Sequence, residues 1–216
     1  MEVQIAFIRH GQPEREWNTD KVADPGLSEL GKWQAERLAD WLEHEPFDHI
    51  ISSTKRRAIE TIEPLASRLG MDIELEEDFT EIDRNSKVYL PTELLASEGG
   101  EYYESIRAQD YAAIGWDTPE EFHKRVMAAF ERLCEARPGQ HIAVACHGGV
   151  VNRVVSELVM ASERIHLQVS YTGICRVWVD DDRRVLMSMN ETGHCCATRT
   201  EVTGHMRDGI VVAPQY

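Results

Sequence analysis

No stretch of the 216-residue chain is long and apolar enough to span a bilayer, and its start does not read as a signal peptide. The expectation is therefore a soluble, cytoplasmic protein. Cations are scarce. Against 38 Asp and Glu there are only 23 Lys and Arg, a formal net charge of −15. That balance argues against nucleic acid or an anionic membrane as the main partner, because both reward positive charge. It does not argue against a small phosphorylated substrate, which responds to a local pocket. Cysteine is sparse and odd in number, at 134, 146, 175, 195 and 196, with no C-x-x-C pair. A disulfide framework is not indicated, and the thiols read as free and mostly structural in a reducing compartment. Internal repeats, low-complexity tracts and linkers are also missing, so residues 1–216 read as a single domain. Self-association is left open.

What is present is an alternation of strands and helices. Val3, Ile5, Phe7 and Ile8 form a nearly continuous apolar run that ends in Arg9-His10-Gly11, as expected of a strand buried on both faces. Ser28 is a good N-cap for an amphipathic helix over 29–44, stopped by Pro46. His49 to Ser52 reads as a second strand. Ser53-Thr54 opens a helix that Gly70 ends, and 71–75 reads as a third strand. This order implies right-handed crossovers and a largely parallel sheet. Residues 76–117, rich in acids and in Tyr and Trp, read as an insertion that lids or walls a site, or equally as a surface subdomain. Thr118 to Glu121 is a capping box that starts a helix running to about Arg137. A buried strand over 141–146 ends in His147-Gly148-Gly149, and a helix is predicted over 150–160. Strands over 174–179 and 185–189 close the pattern. The predicted fold is a three-layer αβα sandwich with a mostly parallel central sheet and one or two late strands free to run antiparallel.

Two of these strands end alike, in an apolar run followed by His and Gly. In open α/β sheets ligands bind beyond the carboxyl ends of the strands, so His10 and His147 are expected above one edge. Gly148-Gly149 adds a helix N-terminus suited to an anion. Arg9 offers a planar fork for phosphate oxygens. Lys55, Arg56 and Arg57 sit in the first turn of a helix, against its dipole. Residues placed against local preference suggest a function that outweighs the cost, here a multiply charged anion.

These motifs together resemble the histidine phosphatase superfamily, also called the phosphoglycerate mutase-like family. Arg9-His10-Gly11 matches its signature. Leu27 to Gly31 with Gln34-Ala35, and Ser53 through Arg57-Ala58 to Thr61, are similar to two further segments. Cys146-His147-Gly148-Gly149-Val150 matches the second-histidine motif. The resemblance implies that His10 is a nucleophile forming a phosphohistidine, and that Arg9, Arg57 and His147 bind the phosphoryl group. It implies no cofactor and no metal. It also implies a carboxylate that protonates the leaving oxygen, with Glu81 the best match and Asp83 and Asp78 as rivals, because the family's Gly-x-Trp-Glu-Gly continuation is absent. Asn18, in a shifted Trp-Asn pair, is a further phosphate-contact candidate.

Arg56 competes with Arg57, but the Arg-Ala-x-x-Thr spacing favours Arg57 and leaves Arg56 as a surface cation. Arg153, about one helical turn past Gly149, could touch substrate or form a surface ion pair. A cysteine phosphatase needs Cys-x5-Arg, whereas Cys146 to Arg153 is Cys-x6-Arg. His194-Cys195-Cys196 is poorly spaced for a metal. The expected activity is hydrolysis of a small phosphorylated metabolite. A cofactor-dependent phosphoglycerate mutase and a non-catalytic phosphate-binding protein are the alternatives.

Overall fold

A computed structural model describes residues 2–17, 20–159, 167–181 and 183–195, together with the backbone of short strands at 206–207 and 210–211. Its centre is a six-stranded sheet. The strands are β1 (Val3–Arg9), β2 (His49–Ser52), β3 (Ile73–Leu75), β4 (His141–Cys146), β5 (Ile174–Val179) and β6 (Arg184–Glu191), in the order β3-β2-β4-β1-β5-β6. The first four neighbours pair in parallel, while β5 and β6 run antiparallel. β5 therefore opposes the direction of β1 and β6 turns back antiparallel to β5, and the predicted sandwich is the fold observed.

Alternation along β1 builds the two outer layers. Ile5 and Phe7 point to one face and join Val144, Phe122, Val126, Phe130, Val151 and Val154. These six come from β4, from α5 (Pro119–Ala136) and from α6 (Gly148–Leu158). Ala6 and Ile8 point the other way and, with Ala143 and Ala145, meet α1 (Glu29–Leu42) and α2 (Arg56–Leu69). Three alanines on that face let the helices approach closely, and Leu38, Leu42, Ile62 and Leu65 fill the layer without measurable exposure.

The helix starts follow their local chemistry. Ser28 Oγ accepts the Gly31 amide at 3.1 Å. Thr118 and Glu121 form the reciprocal capping box, with Glu121 N–H donating to Thr118 Oγ1 at 3.2 Å and Thr118 N–H donating to Glu121 Oε2 at 2.9 Å. The segment 76–117 contains two short helices, α3 (Thr92–Glu98) and α4 (Gly100–Arg107). The sequence predicts a short helix over Pro91 to Ser97, which matches the first, and none at the second. Gly99-Gly100 reads as a break, yet α4 begins at the second glycine. The last helix also begins two residues earlier than predicted, at Gly148, with His147 in the extended N-cap position. Among the described residues no helix is long and apolar enough to cross a membrane.

Candidate active site

Sheet register brings the two histidines together. Arg9 pairs with Cys146, and the His10 amide donates to the Cys146 carbonyl at 2.9 Å. His10 and His147 therefore follow directly from the ends of adjacent parallel strands. Ser52 pairs with Ala145 on the other side, and the Ser53 amide donates to the Ala145 carbonyl at 2.9 Å, which carries Ser53 to the same edge.

His10 is 3% exposed. Its Nδ1 lies 2.7 Å from the Gly11 carbonyl. A carbonyl can only accept, so Nδ1 carries the proton and Nε2 keeps its lone pair. Burial, reinforced by Arg57 and Arg9, holds the imidazole well below the ordinary histidine range and keeps it neutral. The loop is fixed from below, where the Gly11 amide donates to Thr61 Oγ1 at 2.9 Å and Thr61 donates to the Arg57 carbonyl at 2.6 Å. His147, fully buried, packs edge-on against His10 with ring centroids 5.2 Å apart. Its Nε2 lies 2.8 Å from Ser53 Oγ, which accepts the Lys55 amide at 3.3 Å. With that amide on the Ser53 oxygen, the hydroxyl proton can go to Nε2, leaving the proton of neutral His147 on Nδ1. Burial, then Arg57 and His10, hold its pKa well below the ordinary value too.

The two arginines are seated on aromatic faces. The Arg9 guanidinium lies 4.1 Å from the centroid of Tyr171, and its Nη1 donates to the Val169 carbonyl at 2.6 Å. Arg57 is 1% exposed and lies 4.4 Å from the Tyr89 ring, with Nη2 at 3.4 Å from Asp83. Burial works against its charge, but Tyr89, Asp83 and Glu81 hold its pKa above the ordinary value. Among the described residues, the buried side-chain nitrogens without a hydrogen-bond partner are Arg9 Nε, Arg57 Nε, Arg57 Nη1, His147 Nδ1 and His194 Nδ1. Four of the five belong to the three residues around His10. Unpaired buried polar groups are costly, and these four are donors that an acceptor-rich anion could satisfy.

Glu81 lines the same cavity and is held by backbone amides. Its Oε2 accepts the Gly149 amide at 2.8 Å and its Oε1 accepts the Ile82 amide at 2.9 Å. A Cβ at position 149 would collide with the Glu81 carboxylate, so this approach requires glycine. Here the structure changes the sequence reading. Of the helix N-terminus expected to bind an anion, the Gly149 amide is taken by the chain's own carboxylate, while Gly148 lines the cavity. Burial, then Asp83, raise the pKa of Glu81, against the opposing Ile82 and Gly149 amides. Its backbone is held by Arg125, which donates to the Asp78, Thr80 and Glu81 carbonyls at 2.7, 2.9 and 3.2 Å.

Arg9, His10, Arg57, Glu81, Asp83 and Gly148 all line one cavity of about 240 Å³. Asp83 faces Arg57 inside it, whereas Asp78 turns away to Arg132 at 2.7 Å. Arg56 sits on the surface and pairs with Glu60. Asn18 lies outside the described residues. Cys146 is fully buried and burial raises its thiol pKa, which leaves no thiolate nucleophile there. Three contributors escape sequence reasoning: Ser53 as the partner of His147, and Tyr171 and Tyr89 as the arginine platforms. The adjacent helix-start motif hints at Ser53 only.

The family model described as "Histidine phosphatase superfamily (branch 1)" matches residues 5–192. The chain belongs to this superfamily. It is 24% identical over 217 residues to the phosphoglycerate mutase-like protein 4 of Arabidopsis thaliana, covering 96% of this chain and 91% of that one. In fold it is similar to the phosphoserine phosphatase of Entamoeba histolytica, crystallised with 3-phosphoglyceric acid. The TM-score is 0.67 at 24% identity, over 89% of this chain and 98% of that one. The alpha-ribazole phosphatase of Shigella flexneri gives a TM-score of 0.69 at 21% identity, over 87% and 96% of the two chains. This superfamily member thus shares its architecture with small-molecule phosphatases, and its histidine and arginine motifs fall on one cavity.

Proposed function

We propose that the protein is a phosphomonoester hydrolase for small phosphorylated metabolites, working through a phosphohistidine on His10. The observation that carries this reading is the set of four unpartnered donors on Arg9, Arg57 and His147 around a buried, neutral imidazole. His10 Nε2 attacks phosphorus, forming a P–N bond as the bond to the leaving oxygen breaks. Arg9, Arg57 and His147 Nδ1 hold the equatorial oxygens, where charge stabilisation contributes most. Glu81, whose pKa burial and Asp83 raise, gives its proton to the leaving alkoxide. The resulting carboxylate then takes a proton from water, which attacks phosphorus, breaks the P–N bond and releases inorganic phosphate. The segment 76–117 supplies Glu81, Tyr89 and much of the cavity wall, and in this reading serves as the lid of a single domain. Relatives named as a mutase-like protein and as phosphatases support phosphoryl transfer as the shared chemistry.

The test is His10→Ala assayed with p-nitrophenyl phosphate. Turnover should be lost while inorganic phosphate still binds, because the clamp remains. Undiminished turnover would overturn the assignment. Stoichiometric release of phosphate by the wild type separates hydrolysis from a mutase, which would keep the phosphoryl group.

A further inference from the structure

The arginine that holds the Glu81 turn lies outside the histidine and arginine motifs of the sequence. Arg125 stands on α5, over the Phe122 ring at 5.2 Å, with its side chain only 9% exposed. A guanidinium has five N–H groups, and this one makes five hydrogen bonds. Three go to the carbonyls of Asp78, Thr80 and Glu81. The other two reach one carboxylate oxygen of Asp117, at 3.2 and 2.8 Å. Asp117 is itself buried and takes Arg84 Nε on its second oxygen at 2.9 Å. Its backbone amide donates to the Ile82 carbonyl at 2.9 Å.

The Glu81 carbonyl and the Ile82 amide belong to one planar peptide group. Arg125 Nη2 donates to the oxygen of that group, and its N–H donates to Glu81 Oε1 at 2.9 Å. The guanidinium therefore sets the plane of an amide that grips the acid's own carboxylate. The Gly149 amide holds the second oxygen from the other side. A buried ion pair is a costly way to fill space, because apolar side chains of similar volume often serve as well. What it adds is aim.

We propose that Arg125 and Asp117 are positioning residues for proton transfer by Glu81. Through the 81–82 peptide they keep its carboxyl group directed at the leaving oxygen. Neither is among the described residues that line the cavity, so they act on the substrate only through Glu81. This role rests on the reading of Glu81 as the acid.

Arg125→Lys keeps a charge beside Asp117, but a single ammonium cannot reproduce the planar five-donor fork. Its kcat for glycerol 3-phosphate, relative to that for p-nitrophenyl phosphate, should fall about tenfold or more, the scale of a misplaced catalytic group. Calorimetric binding of inorganic phosphate should be retained. In a double-mutant cycle, Arg125→Lys should add no further loss once Glu81→Gln is present, because it acts through that side chain. Asp117→Asn, which keeps the amide to Ile82, should give a smaller loss of the same kind, and carries the test if Arg125→Lys does not fold. An unchanged ratio, an equal loss with both esters, or a loss that adds to that of Glu81→Gln would overturn the proposal and leave the acid reading standing. Failure of both variants to fold would also overturn it, by making the pair a structural brace. Equal slowing of the two esters by Glu81→Gln alone would instead remove Glu81 as the acid, and the positioning role with it.

Discussion

Each of the central side chains is set by a partner that fixes its chemical state. The Gly11 carbonyl fixes the His10 tautomer, and burial with two arginines keeps that ring neutral. Glu81 is the opposite case, a carboxyl whose pKa is raised so that it can donate. Glu81→Gln should therefore slow alkyl phosphates by about a hundredfold or more, the scale of general acid catalysis. It should barely affect p-nitrophenyl phosphate, whose leaving group needs no proton. The pH profile carries the sign of the same shift. Only protonated Glu81 donates, so wild-type kcat for alkyl phosphates should fall as pH rises through its raised pKa, and Glu81→Gln should lack that limb. Asp83 or Asp78 as donor would instead leave the limb intact in Glu81→Gln. Much of the candidate site was legible in the sequence, because Arg9-His10-Gly11 and His147-Gly148-Gly149 are contiguous motifs. The supporting contacts were not. Ser53 reaches His147 across 94 residues, and Tyr171 reaches Glu93 across 78. Neither pair leaves a local pattern, since only the folded sheet edge brings the partners together.

At the scale of elements, strand register does most of the assembly and helix starts do the rest. The N-terminus of α6 receives Glu81, so Gly149 links an element boundary to the acid. Gly149→Ala should displace that carboxylate. Its expected phenotype copies Glu81→Gln, with poor leaving groups slowed and phosphate binding retained. Loss of phosphate binding as well would place Gly149 in the clamp instead. The capping box of α5 lies apart from the cavity, and Thr118→Ala should cost about 1 kcal/mol of stability by denaturant titration with kcat unchanged. Strands and long helices were legible because their apolar periods repeat over many residues. Beyond the short helix at α3, the inner structure of 76–117 was not, since α3 and α4 have seven and eight residues with no fully buried stripe between them. Their positions depend on packing over the site, through contacts such as Trp116 Nε1–H donating to the Tyr102 hydroxyl at 2.7 Å.

The whole molecule carries a net charge of −15, yet the buried Arg57 and the half-buried Arg9 sit beside two neutral histidines. This arrangement has a thermodynamic signature. His10 and His147 have folded pKa values well below the ordinary 6.5. The unfolded chain then binds more protons below that pH, so these two groups make stability fall as pH drops from about 7 toward 5. A phosphate-like anion should reverse part of the cost of the unpaired donors. At a hundredfold excess over Kd, orthovanadate should add about 2.7 kcal/mol of stability, read as a rise in melting temperature that Arg57→Ala abolishes. The central claim, that His10 carries the phosphoryl group, is tested most directly by acid-free quenching of the wild type during turnover of an ester radiolabelled in its phosphate. The label should be acid-labile, alkali-stable and confined to the peptide containing His10. A label on a cysteine or carboxylate, or undiminished turnover in His10→Ala, would contradict it.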